Sequence, residues 1–176
     1  MFIEIEDLRD GPLEFHHTYA LGELAFERQD AALVEPVAAD FVLTHEDRDL
    51  RITGGLQTAL RCRCARCASE FERRLDNRFD LTYLPQPAGI KESEEIELRY
   101  EEMEVAFYDG VRFDVDLMVT EQIELSLPMK FICREECRGL CYRCGQDLNE
   151  GTCGCPRDEK DGRLSVLLEF RKKMDK

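Results

Sequence analysis

Apolar residues recur at every second position in five stretches of the first half of the chain, and this is the period of a β-strand with one buried face. The shorter stretches are Phe2, Ile3 and Ile5; Leu13, Phe15, His17 and Tyr19; and Val37, Ala39, Phe41 and Leu43. The longest keeps one parity from Leu50 to Cys64, and the alternation resumes from Phe71 to Tyr83 after the short sequence CARCAS. We therefore predict that the last two stretches form an antiparallel hairpin with cysteines at its tip.

The second half of the chain mixes polar breaks with helical signals. Residues 85–97 contain two prolines, a glycine and a run of acidic residues, which predicts a loop or a linker. A strand interrupted by an Asp-Gly turn is predicted over residues 105–113. A helix should follow, because Asp114 or Asp116 can cap its start and Pro128 can end it.

Helical spacing of leucines and a basic end predict one more helix within residues 162–176. The predicted fold class is α+β, mostly antiparallel β in the N-terminal half, with one or two helices in the C-terminal half and a cysteine-rich zinc-binding segment. We predict a β-rich α+β body over residues 1–128. The cysteine-rich segment and closing helix, residues 129–176, are expected to pack on the same domain.

Length and composition favour a folded cytoplasmic protein. The chain has 176 residues, 43% of them hydrophobic, which suffices for a real core. No apolar stretch approaches the ~20 residues of a membrane span, and the acidic start differs from the basic and then apolar start of a signal peptide. In a reducing compartment, nine cysteines indicate metal ligands before disulfides, and the odd count also opposes a complete disulfide framework.

Two pairs of cysteines have the spacing of a zinc knuckle, in which one turn brings both sulfurs to one metal ion. They are Cys64 with Cys67, and Cys141 with Cys144; Gly145 provides conformational freedom directly after the second pair. One zinc site is predicted in the C-terminal segment, and the cysteines suffice for a second. A closed site of four sulfurs leaves no position for water, so its role would be structural.

The partition of the cysteines has two alternatives. One has two sites, made of Cys141, Cys144, Cys153 and Cys155 and of Cys64, Cys67, Cys133 and Cys137, with Cys62 left over. The other has a single zinc bound by Cys137, Cys141, Cys144 and Cys153, with the hairpin pair free. The cysteine spacing does not match ferredoxin patterns, so an iron–sulfur cluster is disfavoured.

Net charge and charge distribution bear on the partners. The formal charge is −14, which opposes general binding to a phosphate backbone and suits a docking surface for a basic partner, such as a ribosomal protein. The alternative is an acidic surface that only confers solubility. The acidic docking residues are expected within residues 1–50 or 91–104, where Glu94, Glu95, Glu101 and Glu102 lie. A weak, salt-dependent RNA contact is expected through a set of arginines, and the alternative is that they pair with the chain's own acids. They are Arg61, Arg63, Arg66, Arg73, Arg74 and Arg78, with Arg134, Arg138 and Arg143.

The sequence offers little for catalysis. It has no GxSxG nucleophile elbow, no phosphate-binding glycine loop and no HExxH, so we expect neither an enzyme nor a small-molecule substrate. One alternative is a redox switch or thiol-dependent enzyme that uses Cys64 and Cys67. Another is a structural domain whose zinc compensates for a modest core.

Three segments carry a resemblance to a known family: CARC at 64–67, LPMKFIC at 127–133 and CREECRGLCYRCGQDLN at 133–149. With them the chain resembles the YceD family, the large ribosomal RNA subunit accumulation proteins, over nearly its whole length. It departs at Ala68-Ser69 and at residues 161–163, which affects no thiol. The resemblance implies a bacterial cytoplasmic or plastid protein that supports accumulation or processing of large-subunit ribosomal RNA, with no established enzymatic activity. A ribosome-assembly factor that acts as a binding module is therefore the expected function.

Overall fold

A computed structural model of the chain describes residues 1–9, 11–86 and 105–156. Within these ranges the chain forms eight strands, one 3-10 helix at Ile5–Leu8 and one α-helix. They are β1 (Phe2–Glu4), β2 (Leu13–Tyr19), β3 (Ala31–Leu33), β4 (Val37–Glu46), β5 (Asp49–Arg63), β6 (Glu70–Pro85), β7 (Val105–Tyr108), β8 (Arg112–Asp114) and α1 (Val115–Ser126). A mostly β fold with a helix in the second half agrees with the prediction. Most of the predicted loop at 85–97 and the closing helix at 162–176 lie outside the described residues.

The larger sheet has the strand order β2-β4-β5-β6-β7, and β3 pairs separately with β5. Its centre is the predicted hairpin of β5 and β6, which are antiparallel from Leu50 opposite Tyr83 to Arg63 opposite Glu70. Periodicity predicts that a strand exists but not which neighbour it pairs with. Two pairings were accordingly not foreseen: β7 runs parallel to β6, and β1 pairs with β8.

Alternation along the strands sets which face is buried. In β4 the residues Val37, Ala39, Phe41 and Leu43 are all buried, as their shared parity predicts. The aromatic rings of Phe15 and Phe41 stack with centroids 4.6 Å apart, and Phe79 lies 6.1 Å from Phe41. Gly54 is the partner of Phe41 on one side and of Phe79 on the other, so a residue without a side chain lies between the two aromatic rings.

Helix α1 begins and ends as the sequence indicates. The side chain of Asp114 accepts a hydrogen bond from the backbone N–H of Leu117 at 3.3 Å, which makes it the N-cap. The helix ends at Ser126, two residues before Pro128. Its buried side chains join the core that lies under the sheet: Val115, Met118, Val119 and Ile123.

The chain divides into two compact units. The first comprises residues 1–65 and 69–133 and contains the strands and the helix just described. The second comprises residues 66–68 and 134–176, and its described part has one isolated β-bridge, between Leu140 and Asp147. The predicted boundary at 128/129, with packing on one domain, stays a prediction. None of the helices within the described ranges is long and apolar enough to span a membrane.

Candidate metal centres

A tight hairpin in the second unit carries Cys141 and Cys144. The backbone N–H of Cys141 donates to the carbonyl of Gln146, and the N–H of Gly145 donates back to the carbonyl of Cys141, both at 2.8 Å. Gly145 has a φ of 74°, a left-handed conformation that glycine adopts without steric cost. This turn has the hydrogen bonding of a knuckle that directs both thiols of a CxxC pair to one side.

Cys141 and Cys144 form a cluster with Cys153 and Cys155 that lies entirely in the second unit, and we call it the second cysteine cluster. Its four sulfur atoms lie within 4.8 Å of one another. A tetrahedral zinc with sulfur ligands at about 2.3 Å needs sulfurs about 3.8 Å apart, so the arrangement fits a metal ion of that size. Cys141 is buried and Cys144 is exposed, which leaves the cluster open to solvent on one side.

Electrostatics within this cluster favour a bound cation. Hydrogen bonds from the backbone N–H groups of Cys144 and Arg143 lower the pKa of the Cys141 thiol to about 6. Hydrogen bonding to Cys144, together with burial, raises the pKa of the Cys155 thiol to about 12. Four crowded sulfurs thus resist full ionisation, and a dication would remove that conflict because it binds all four as thiolates.

The first cysteine cluster is Cys64, Cys67, Cys133 and Cys137, whose sulfurs also lie within 4.8 Å of one another. Cys64 follows β5 at the tip of the predicted hairpin, where its backbone N–H donates to the carbonyl of Ser69 at 2.9 Å. The backbone N–H of Cys133 donates to the Cys64 sulfur at 3.5 Å, which leaves that sulfur an acceptor at the cluster. Both clusters can therefore hold a metal ion.

Asn149 supports a cysteine although the sequence analysis did not single it out. Its side-chain Nδ2 donates to the sulfur of Cys137 at 3.5 Å, and its Oδ1 accepts from the backbone N–H of Arg138 at 2.8 Å. These bonds orient the Cys137 thiol from outside the cluster. Its place at the end of the string GQDLN, directly after the knuckle, was the available signal.

Arg66 makes structural hydrogen bonds within the second unit, and the RNA contact expected of it stays a prediction. Its Nη1 donates to the carbonyl oxygens of Glu135 and Cys137, each at 3.0 Å. The carbonyl of Arg66 accepts from the N–H of Leu140, and a Cβ added to Gly139 would lie 2.8 Å from that oxygen. Gly139 also has a φ of 74°, so two independent constraints require glycine there.

The remaining cysteine, Cys62, belongs to the hydrophobic core of the first unit. Burial raises the pKa of its thiol, and no cluster includes it. The single-zinc alternative joined Cys137 to the knuckle, whereas the structure groups Cys137 with Cys64, Cys67 and Cys133.

The predicted acidic docking residues are only partly described, whereas the nine arginines expected to contact RNA all lie within the described ranges. Arg61 and Arg63 are exposed on β5 and lie opposite Glu72 and Glu70 on β6. Thus acidic residues alternate with arginines across this hairpin face. The four glutamates at 94, 95, 101 and 102 lie outside the described residues. The acidic docking surface and the RNA contact both stay predictions.

Comparisons with known proteins agree with the resemblance seen in the sequence. A family model described as "Large ribosomal RNA subunit accumulation protein YceD" matches residues 52–171. A chloroplastic YCED homolog 1 of Arabidopsis thaliana, named a large ribosomal RNA subunit accumulation protein, is 25% identical over 161 residues, covering 79% of this chain and 50% of the relative. The protein of the same name from Zea mays is 23% identical over 148 residues, covering 70% and 50% respectively.

The chain thus spans about half the length of the curated relatives it matches. No solved structure gives a significant match. The family match covers most of the chain, including the hairpin cysteines and the segments 127–133 and 133–149 that carry the resemblance. The chain belongs to the YceD family of large ribosomal RNA subunit accumulation proteins.

Proposed function

We propose that the chain is a non-enzymatic, zinc-stabilised binding module that supports the accumulation or processing of large-subunit ribosomal RNA and ribosome assembly in a bacterial cytoplasm. The observation that carries the proposal is the cluster of four cysteine sulfurs in the second unit, found in a chain of the YceD family. A metal with four protein ligands holds a fold together but has no open position for substrate.

Zinc is the metal because the ligands are sulfur alone. Thiolates select zinc, cuprous copper or iron–sulfur clusters over magnesium and calcium, and the spacing of these cysteines is that of a zinc knuckle. The described part of the second unit also buries few large apolar side chains: Leu140 and Tyr142, for example, are both exposed. Metal binding therefore replaces a hydrophobic core as the source of its stability.

The partner proposed for this module is a basic ribosomal or rRNA-processing protein. A chain of net charge −14 attracts basic proteins and repels naked RNA. Any RNA contact would have to use arginines such as Arg61 and Arg63, which face glutamates across the hairpin.

Zinc content tests the structural part of the proposal. Protein purified under reducing, chelator-free conditions should contain about two zinc ions per chain, one for each four-sulfur cluster. Cys141→Ala should lose one of them, whereas Cys62→Ala is the matched control because that thiol is buried outside both clusters. Less than about one zinc in the unaltered chain would rule out the zinc-stabilised module.

Ribosomal RNA levels test the functional part. Deleting the gene in its own host should lower large-subunit relative to small-subunit ribosomal RNA. The gene encoding Cys62→Ala should restore the ratio, and the gene encoding Cys141→Ala should not. An unchanged ratio in the deletion strain would contradict the proposed function.

The redox alternative remains open to a direct test. Zinc-bound thiolates are protected, so in zinc-replete protein Cys64 and Cys67 should resist alkylation until a chelator is added. Rapid alkylation without chelator, combined with a Cys64–Cys67 disulfide at a cytosolic redox potential, would favour the switch over the zinc module.

A further inference from the structure

A groove of the first unit, away from the cysteines, combines an apolar end with an acidic end. The apolar end is a cavity of about 280 Å³ formed by β1, β7, β8 and α1. Tyr83 and Phe113 are buried in its wall and their rings meet edge to face, with centroids 4.8 Å apart. A second cavity adjoins this one, since Tyr108 and Asp109 line both. We call the two cavities together the β1–α1 groove.

Three large apolar side chains at the apolar end remain about half exposed to solvent. Phe2 is 52% exposed, Phe107 41% and Leu117 55%. Single exposed apolar residues are normal on a protein surface, but three around one cavity mark an interaction site. Leu117 belongs to the solvent face of α1, so it does not hold the helix to the sheet.

Carboxylates surround the rest of the groove. The second cavity has a volume of about 720 Å³ and lies against the 3-10 helix and the β4–β5 turn. Across both cavities the acidic residues outnumber the arginines Arg9, Arg48 and Arg112. The acidic residues are Glu4, Glu6, Asp7, Asp47, Asp109, Asp114 and Glu121.

The groove already binds one guanidinium group, that of Arg112. Its Cζ lies 4.5 Å from the centroid of the Phe2 ring, and its Nε lies 3.5 Å from Oδ2 of Asp109. An aromatic face beside a carboxylate is the environment that arginine side chains of a partner would recognise.

Glu121 shows that negative charge at the apolar end is not fully compensated. Burial and then the charges of Glu124 and Asp114 raise the pKa of the Glu121 carboxyl. A cationic group placed in the cavity would relieve this repulsion. A phosphate would increase it, which disfavours RNA as the occupant.

We propose that the β1–α1 groove docks a segment of a separate basic protein, in which an apolar anchor side chain enters the apolar end and neighbouring lysines or arginines face the carboxylates. This deepens the proposed function, on which it rests, because it assigns a surface to the basic partner. The anchor supplies most of the affinity, and the charges supply orientation and association rate.

Two segments of the chain itself are alternative occupants that the test has to exclude. Residues 87–104 contain seven acids and two bases, so their charge opposes occupancy of an acidic groove. Residues 157–176 match better, because Arg171, Lys172 and Lys173 follow an apolar stretch. The experiment therefore has to separate this segment from an external partner.

The probe is a fluorescein-labelled 12-residue peptide with a central Leu-Phe pair flanked by lysines and arginines, titrated with the full-length zinc-loaded chain. Fluorescence anisotropy should show saturable binding that weakens as salt increases. Replacing Leu-Phe by Ser-Ser should weaken it about tenfold or more, as expected for loss of an apolar anchor.

Leu117→Arg should weaken peptide binding by about tenfold, because it blocks the apolar end and repels the peptide. Leu125→Arg is the matched control: Leu125 is 77% exposed on the same helix but lines neither cavity, so binding should be unchanged. Circular dichroism and zinc content should be the same for both variants.

Glu6→Gln with Asp7→Asn should weaken binding about two- to fivefold and reduce its salt dependence, as expected for exposed ion pairs. Glu27→Gln with Glu72→Gln is the charge-matched control, since both residues are exposed outside the groove.

Absence of saturable binding, or equal weakening by Leu117→Arg and Leu125→Arg, overturns the proposal. Binding that appears only after charge reversal of Arg171, Lys172 and Lys173 also overturns it, because the chain's own segment would then be the occupant. The proposal is also overturned if a labelled 12-nucleotide RNA binds the chain and Leu117→Arg abolishes that binding. Ribosomal RNA levels in the deletion strain report on the proposed function separately, since they can fall whether or not the peptide binds.

Discussion

Gly54 should be the least tolerant glycine in the sheet, and Gly54→Ala should strongly destabilise the first unit. A Cβ added at this position would lie 2.3 Å from the carbonyl oxygen of Asp40 and 2.4 Å from both Cα and Cβ of Phe41. Carbon atoms in favourable contact are about 3.5–4.0 Å apart, so β4 and β5 would have to separate by more than about 1 Å. The obstructing atoms are backbone atoms of Asp40 and Phe41 and the Phe41 Cβ, and no rotamer change moves any of them away.

The magnitude follows from this geometry. Overpacking a core costs about 1–3 kcal/mol when side chains can adjust, and here they cannot, so we expect a loss of about 3 kcal/mol or more. For a chain of this size each kcal/mol corresponds to about 2–4 °C in Tm, which predicts a fall of roughly 6–12 °C. Differential scanning calorimetry of zinc-saturated protein measures it.

Two further variants make this prediction refutable. Gly151→Ala is the control, because the nearest atom to its added Cβ is Gln146 Nε2 at an ordinary 3.9 Å, and its Tm should change little. Combining Gly54→Ala with Phe41→Ala should not restore Tm, since the Phe41 Cα and the Asp40 carbonyl remain. Restoration by the double variant, or a Tm within about 1 °C of the original for Gly54→Ala alone, would show that the reasoning is wrong.

Three other predictions concern single contacts. Asn149→Ala removes the hydrogen bond to the Cys137 sulfur and should weaken zinc binding about 10- to 100-fold in a competition titration with a chromophoric chelator; unchanged affinity contradicts this role. The hydrogen bond to Asp40 raises the pKa of His16 above 6.5. The stability that this bond contributes is therefore present below pH 6.5 and disappears as pH rises through the folded-state pKa of His16. An NMR titration of Asp40→Asn should show a lower His16 pKa, and no change would refute the assignment. Phe131→Ala should cost about 3–5 kcal/mol in denaturant unfolding because the ring is almost fully buried, and a loss below about 1 kcal/mol would contradict its place in the core.

Alternating residues predicted the strands well because a buried sheet face leaves a direct imprint on the sequence. The hairpin of β5 and β6, its cysteine-bearing tip and the Asp114 cap are all local features that neighbouring residues determine. The parallel pairing of β7 with β6 depends on distant residues, and nothing local specifies it.

The candidate centres show the same division between local and distant information. The Cys141–Cys144 knuckle is visible in the spacing alone, because one turn contains both ligands and Gly145. Asn149 escaped attention because an amide that orients a sulfur has no characteristic spacing. The hydrogen bonds of Arg66 within the second unit were not foreseen either, because an arginine beside a strand end looks like any other exposed charge.

Cys62 and Cys64 lie two residues apart on the same face of one long run, so a two-residue register error would exchange them, and Gly54 is placed to oppose that error. A slip of β5 by two residues would preserve the inward and outward alternation, so burial alone would not oppose it. It would, however, carry the wrong thiol to the hairpin tip and bring Ile52 or Leu56 opposite Phe41 in place of the glycine. Steric exclusion at one position in mid-strand thus favours the register that brings Cys64, about 30 Å away along an extended chain, to the first cysteine cluster.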